Sequence, residues 1–177
     1  MRVVTVSGRA QHGKDTVANM IKEELESKYG YTVLITHYAD LLKYVCMTFF
    51  DWDGRKDTDG RTLLQYVGTD IVRKRNPDFW VDFIISILSM FGGRWDRVLI
   101  PDVRFPNEVF KLRKAGFITT HIEVVRPNFS SPLSDIQMAH PSEESMECVA
   151  PDIRLINDGT LDDLRSKIIN SIIKEII

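Results

Sequence analysis

The chain has 177 residues, 44% of them hydrophobic and 27% charged. That is enough for one domain with a buried core, and it excludes a disordered or low-complexity chain. With 23 basic and 25 acidic side chains the formal charge is −2, which excludes a generalised affinity for nucleic acid. The charge is uneven: residues 127–177 carry 4 basic and 9 acidic side chains, so an anion falls to Arg and Lys of the first 126 residues. Cys46 and Cys148 make neither a disulfide framework nor a zinc site, and read as buried apolar residues in a reducing compartment. His12, His37, His121 and His140 lack zinc-ligand spacing. The start, MRVVTVSG, has no signal-peptide apolar region, and no run of 18 apolar residues occurs. The expectation is a soluble cytoplasmic protein without a membrane partner.

In chain order, Arg2–Val6 is a β-branched run that reads as a buried strand. The segment 13–29 is a helix with Val17, Met20, Ile21 and Leu25 on one face, ended by Gly30. A second strand spans 32–36 and an apolar helix 39–50. The segment 51–60, DWDGRKDTDG, is a polar loop. Two helical stretches follow, 61–75 and 79–91, with Asp78 a candidate N-cap. A third strand is expected at 97–101, a short helix at 106–114 stopped by Gly116, and a fourth strand at 117–125. Residues 126–145 hold three of the seven prolines and read as a mobile excursion. A fifth strand at 152–156 precedes a closing helix, 160–176, with Leu161, Leu164, Ile168, Ile172 and Ile176 on one face. Short apolar strands alternating with helices indicate an α/β fold whose parallel sheet is covered on both faces.

The first strand runs into Gly8-Arg9-Ala10-Gln11-His12-Gly13-Lys14-Asp15-Thr16, a G-x-x-x-x-G-K pattern between strand and helix. Glycines let the backbone wrap phosphate oxygens, amides and the helix N-terminus present positive partial charge, and Lys14 adds a full one. The position after the lysine is usually Ser or Thr; here it is Asp15, followed by Thr16. Asp15 could touch a metal ion, hold one of its waters, or cap the helix, while Thr16 supplies a hydroxyl. A second constellation is the apolar run 98–101 ending in Asp102, with Arg104 two residues on. Asp102 is placed to hold magnesium or a magnesium-bound water, or to cap the next helix. Arg104 falls at the carboxyl end of the sheet, where ligands bind in open α/β folds.

Several stretches together resemble the bacteriophage-type deoxynucleoside monophosphate kinases: the GKDT form of the P-loop, RTLLQYVGTD at 61–70, NPDFWV at 76–81, DVRFPNE at 102–108 and HPSE at 140–143. NDGT at 157–160 is similar to the adenine-side loop of nucleoside monophosphate and dephospho-coenzyme A kinases. The resemblance implies a P-loop NTPase of the nucleoside monophosphate kinase-like type, a three-layer sandwich with a five-stranded parallel sheet in order 2-3-1-4-5. It implies one kinase domain over 1–177, with an acceptor-binding helical region at about 40–91 and a lid at about 126–145. The implied reaction moves the γ-phosphoryl group of ATP to a deoxynucleoside monophosphate, with Mg²⁺. If the chain is phage-encoded, it works in the host cytoplasm.

On that resemblance, ATP falls to residues 8–16 (Gly8, Arg9, Ala10, Gln11, His12, Gly13, Lys14, Asp15 and Thr16), with Asn157 and Gly159 against adenine. Metal contacts fall to Asp15, Thr16 and Asp102. Lys14, Arg104, Arg126 and Asp40 are the expected catalytic set, Arg126 as a lid arginine. Asp40, Lys43, Gln65, Asp70, Arg73, Trp80 and Arg104 are expected to bind the acceptor, since arginine can hold two phosphate oxygens at once. The competing reading of Asp40 is a helix cap, and that of Arg73 a solvated helix end beside Lys74 and Arg75. Phe49, Phe50, Trp52, Tyr66 and Phe79 join Trp80 as aromatic candidates for stacking on a base. His140 and Glu143 match the family block without an assignable role. Another small-molecule P-loop kinase of the dephospho-coenzyme A kinase type, or a non-catalytic ATP-binding module, are the competing readings. An exposed apolar face on the 61–91 helices could build a homodimer.

Overall fold

Val3, Val4, Thr5 and Val6 are all fully buried, although successive strand residues point to opposite faces. Both faces of the sheet are therefore covered. A computed structural model describes every residue except 131, 132, 134 and 146–148, and gives the backbone alone of 135, 136 and 144. Five strands, β1 (Arg2–Ser7), β2 (Val33–Ile35), β3 (Arg97–Ile100), β4 (Ile118–Val125) and β5 (Ile153–Ile156), form one parallel sheet in the order β2-β3-β1-β4-β5. This is the expected order. Central β1 has Val4 opposite Leu99 on one side and Thr120 on the other.

On one face, Val4, Val6, Ile122 and Val124 pack against α1 (Lys14–Tyr29) and the C-terminal helix. On the other, Val3, Val98 and Ile100 pack against α2 (Ala39–Phe49), α4 (Phe79–Phe91) and α5 (Pro106–Lys114) through Cys46, Trp80, Leu88 and Leu112. Gly30, at φ 67°, ends α1 as expected and donates its N–H to Leu25 O. Within the sheet, buried His121 on β4 bridges Thr5 Oγ (3.0 Å) and Ser7 Oγ (3.1 Å) of β1. Burial drives its pKa down to about 4, so it is a neutral core group.

Three expectations need correction, and the 126–145 stretch contains short helices that the sequence did not announce. The helix placed at 61–75 begins earlier, as α3 (Thr58–Gln65), because Asp57 caps it by accepting from Gly60 N at 2.9 Å. It then widens into a π-helical turn, Tyr66–Arg73. Asp78 precedes α4, but its side chain accepts from Asn107 Nδ2 (2.7 Å) and Lys111 Nζ (3.0 Å), tying α4 to α5. The closing helix, α8 (Leu161–Lys167), passes through a π turn at Ile168–Ile173 to Lys174–Ile176. Leu164, Ile168, Ile172 and Ile176 are buried as expected, but Leu161 in the first turn is 65% exposed, and Ile173 in the wider turn is buried as well. Finally, the described part of 126–145 contains two one-turn helices, α6 (Asp135–Met138) and α7 (Pro141–Glu144). Buried Gln137 of α6 donates to Thr58 O of α3 at 3.2 Å. Cys46 is buried as expected; Cys148 lies outside the described residues. No helix among the described residues is long and apolar enough to cross a membrane.

Candidate active site

The turn after β1 is dictated by glycine. Gly8 has φ 143°, and a Cβ there would lie 2.4 Å from Val124 O of β4. Gly13, at φ 96°, starts α1, and Asn157 braces this turn by donating Nδ2 to His12 O at 3.0 Å. Inside the loop Lys14 Nζ donates to Gly8 O (2.7 Å) and Arg9 O (2.9 Å). Burial, then the neighbouring Arg104 charge, brings the Lys14 pKa down to about 8, against the opposing pull of Glu143, Asp15 and Asp102. An anion entering this loop would reverse that effect.

Beside it a chain of polar groups joins α1 to α2. Asp15 Oδ1 meets His37 Nε2 at 3.0 Å, and Asp40 Oδ2 accepts from His37 N at 2.9 Å and meets its Nδ1 at 3.3 Å. The Asp15 hydrogen bond raises the His37 pKa, and His37 in turn lowers that of Asp15. Lys43 Nζ donates to Asp40 Oδ1 at 3.0 Å. Asp102 accepts from Tyr38 N (3.0 Å) and Ala39 N (2.9 Å), so the helix end it caps is that of α2, across the sheet, and not the helix that follows it.

Two cavities open at the carboxyl ends of the strands. The first, about 350 Å³, is walled by Ala10, Gln11, Lys14, Asp15, Asp102 and residues of α2 to α4, including Lys43, Gln65, Arg73 and Trp80. The second, about 430 Å³, is walled by Gly8, Arg9, His12, Arg126 and Phe129. Arg104, Ser142 and Glu143 line both. Arg104 Nη1 donates to Ser142 O at 3.0 Å and to the Glu143 carboxylate, so this ion pair is the partition between the cavities. Arg126 lies over the Phe129 ring at 4.5 Å, and its N–H donates to His12 Nδ1 at 3.2 Å.

The remaining expected residues fall elsewhere. Asp40, Asp70 and Thr16 are off both cavity walls. Thr16 is exposed on the outer side of α1, and Asp70 pairs with Lys74 at 3.5 Å and faces His140 Nε2 at 3.8 Å. Asn157 and Gly159 also lie off the walls; a Cβ at Gly159 would meet the Asp163 carboxylate that caps α8. Of the aromatic candidates only Trp80 reaches a cavity: Trp52 is buried away from it, and Phe49, Phe50, Tyr66 and Phe79 are exposed.

Arg73, expected to grip a phosphate, is committed inside the protein. Its guanidinium pairs with the Glu108 carboxylate, donates to Pro77 O at 3.0 Å and stacks on Phe105 at 3.9 Å. Glu108 is 2% exposed and also accepts from Arg104 N (2.7 Å) and Phe105 N (3.1 Å). Burial raises its pKa to about 7, opposed by Arg73 and the two amides. Sequence reading missed Glu108, His37, Tyr38, Phe105, Lys56 and Arg61, all on the first cavity wall. The DVRFPNE block contained Glu108 and Phe105; nothing in the 51–60 stretch marked Lys56.

The sequence model of the deoxynucleotide monophosphate kinase family matches residues 39–168. The chain belongs to this family. A deoxynucleotide monophosphate kinase of Enterobacteria phage T4 is 34% identical over 114 residues, covering 63% of this chain and 44% of its own. The chain thus spans less than half the length of that phage relative. A protein of Acanthamoeba polyphaga mimivirus, provisionally named for the same activity, is 27% identical over 97% of this chain and 96% of its own. Among solved structures, the dephospho-CoA kinase of Campylobacter jejuni superposes with a TM-score of 0.56 at 13% identity, covering 99% of this chain and 97% of that one. That likeness concerns the P-loop kinase fold which the deoxynucleotide monophosphate kinase family shares.

Proposed function

We propose that the chain transfers the γ-phosphoryl group of ATP to a deoxynucleoside 5′-monophosphate, giving the diphosphate. The observation that carries this reading is the pair of cavities that share Arg104, Ser142 and Glu143, with Lys14 on the wall of the first, near Arg104. Phosphoryl transfer needs two anionic substrates brought in line, and little covalent chemistry from the protein. The cavity beside Gly8, His12 and Arg126 suits the donor. The cavity walled by α2 to α4 suits the acceptor, with Trp80 as an aromatic wall for a base.

Lys14 leaves its two carbonyl partners for the β- and γ-phosphate oxygens, and the loop amides take the rest. Arg104, once parted from Glu143, lies between the substrates and neutralises charge on the transferring group. The acceptor phosphate is already ionised near neutral pH, so no base is needed. The 126–145 segment excludes water from this junction.

Asp15 and Asp102 fit a magnesium ion. They are hard oxygen donors beside Lys14, and magnesium commonly takes one or two carboxylates, waters and substrate phosphates in place of a full protein cage. Held there, the ion would supply charge neutralisation on the donor phosphates. Thr16, being exposed and off the wall, is not part of that set.

The test is ADP release from ATP and Mg²⁺ with each deoxy- and ribonucleoside monophosphate in turn, against Lys14→Ala. Turnover with deoxynucleotides, lost in the variant, supports the reading. A protein that binds ATP but is silent across the panel refutes it.

A further inference from the structure

Asp15 stands where phosphate-binding loops usually carry a hydroxyl. The exchange leaves the group less fixed. A Ser or Thr hydroxyl is placed by χ1 alone, whereas a carboxylate turns about χ2 as well. Asp15 lies in the first turn of α1 with its side chain 73% exposed, so packing does not choose its rotamer. Among the described residues one side chain does: His37, whose Nε2 lies 3.0 Å from Asp15 Oδ1. A carboxylate only accepts, so Nε2 is the donor. The other Asp15 oxygen, Oδ2, has no hydrogen-bond partner among the described residues.

His37 is itself held on several sides. It sits between β2 and α2, with its side chain one-quarter exposed. Its N–H donates to Asp40 Oδ2 at 2.9 Å, its O accepts from Asp40 N at 3.2 Å, and its Nδ1 faces the same Oδ2 at 3.3 Å. Lys43 Nζ holds the other Asp40 oxygen at 3.0 Å. The next two amides along the chain, of Tyr38 and Ala39, donate to Asp102. One loop therefore joins the two carboxylates that suit magnesium. Asp102 grips its backbone, and its imidazole grips Asp15.

We propose that His37 is the positioning residue for the P-loop carboxylate Asp15. It fixes Asp15 by one oxygen and leaves the other for the ion or one of its waters. Asp40, which lies off both cavity walls, orients His37 in turn. This rests on the kinase reading above and on its magnesium set. His37, Asp15, Lys14 and Asp102 line the same cavity, so the brace stands beside the lysine that meets phosphate. Removing a group that orients a metal ligand from behind changes metal affinity or activity by about 10- to 100-fold. An exposed carboxylate still samples the productive rotamer without its brace, which sets the expected loss at the low end of that range.

The experiment is calorimetric titration of the full chain with ATP, once in excess Mg²⁺ and once in EDTA. Wild type is compared with His37→Gln, His37→Asn, Asp15→Ala and the pair Asp15→Ala, His37→Asn. A glutamine amide reaches about as far as Nε2 and keeps the donor to Asp15, whereas an asparagine amide reaches only the place of Nδ1. The expected result is ATP binding weakened about tenfold by His37→Asn in Mg²⁺, and unchanged within twofold in EDTA. His37→Gln stays within threefold of wild type in both. In the Asp15→Ala background His37→Asn adds less than twofold, because the brace has no ligand left to hold. Equal losses with and without Mg²⁺ overturn the proposal, as does a loss in His37→Gln as large as in His37→Asn, or a full further loss in the Asp15→Ala background. An unchanged thermal midpoint checks that the variants fold. A wild-type affinity that Mg²⁺ does not alter overturns the magnesium set and the proposal with it. No monophosphate enters these titrations, so a wild type whose ATP binding depends on Mg²⁺ but which phosphorylates none refutes the kinase reading alone.

Discussion

Arg73→Ala separates a structural arginine from a substrate ligand. The substitution removes the counter-charge of a carboxylate that is 2% exposed, together with a guanidinium stacked 3.9 Å above Phe105. Removing one partner of a buried pair costs about 3–5 kcal/mol, because the other charge stays behind. Loss of the stacking adds about 0.5–1 kcal/mol. Two amide donors, from Arg104 and Phe105, still serve Glu108 and hold the total toward the lower end. The cost has a pH signature. The folded pKa of Glu108 is raised from 4.5 to about 7, so between those values the native state keeps a proton the unfolded chain has lost, and stability falls as pH rises through that window. Without Arg73 the folded pKa climbs further. The destabilisation is then smallest near pH 5, where Glu108 is protonated, and largest near pH 8. Urea unfolding of both proteins at pH 5, 6.5 and 8 measures it. A difference below about 1 kcal/mol at pH 8, or one independent of pH, refutes the structural assignment; a raised acceptor KM in a fully stable variant would return Arg73 to the substrate.

Three further outcomes are expected. Because the Lys14 pKa is lowered to about 8 in the free protein and bound phosphates raise it again, ATP binding above pH 8 takes up a proton. The apparent Kd then rises by up to about tenfold per pH unit above that value, and a flat profile by calorimetry in two buffers would count against the Lys14 geometry. Gly8→Ala places a methyl 2.4 Å from Val124 O at φ 143°, and destabilises by more than about 2 kcal/mol in urea unfolding; a loss under about 0.5 kcal/mol would contradict the close approach. Glu143→Gln neutralises the partner of Arg104 and is expected to raise acceptor-independent ATP hydrolysis several-fold. Unchanged hydrolysis would show that the pair does not restrain Arg104.

The parallel sheet was legible because its strands are short apolar runs separated by helices, while its strand order was legible only through the resemblance to the kinase family. Lys14, Asp15 and Asp102 were legible for the same reason: each sits at the end of a strand or the start of the next helix, and the fold brings strand ends together. What escaped was the choice of partner. In sequence Arg73 looks like a phosphate ligand or a solvated helix end, and only the approach of α5 gives it Glu108, 35 positions on. Lys56 was hidden by composition. DWDGRKDTDG has the residues of a surface turn, and the burial of Trp52 that anchors it depends on the core cluster it joins and on the approach of Gly60 of α3. The start of α3 was masked likewise, since Asp57 and Gly60 read as turn residues while serving as a cap and a close packing point.

Two arginines of the cavity are bound by glutamates, and the difference lies in what holds each carboxylate. Glu108 is 2% exposed, lies on α5 against the sheet, and takes two backbone amides besides Arg73. It cannot leave without stranding those amides, so its arginine is fixed. Glu143 stands on the one-turn helix α7 in the segment that crosses the cavities, and its Arg104 partner remains one-third exposed. Unlike Glu108, the Glu143 carboxylate accepts from no backbone amide among the described residues, so an incoming phosphate can take its place on Arg104 without stranding one, and a dianion offers that donor more charge. Identical side-chain chemistry thus leaves one arginine fixed on the wall of the first cavity, while the proposed phosphoryl transfer asks the other to exchange its carboxylate for a substrate phosphate.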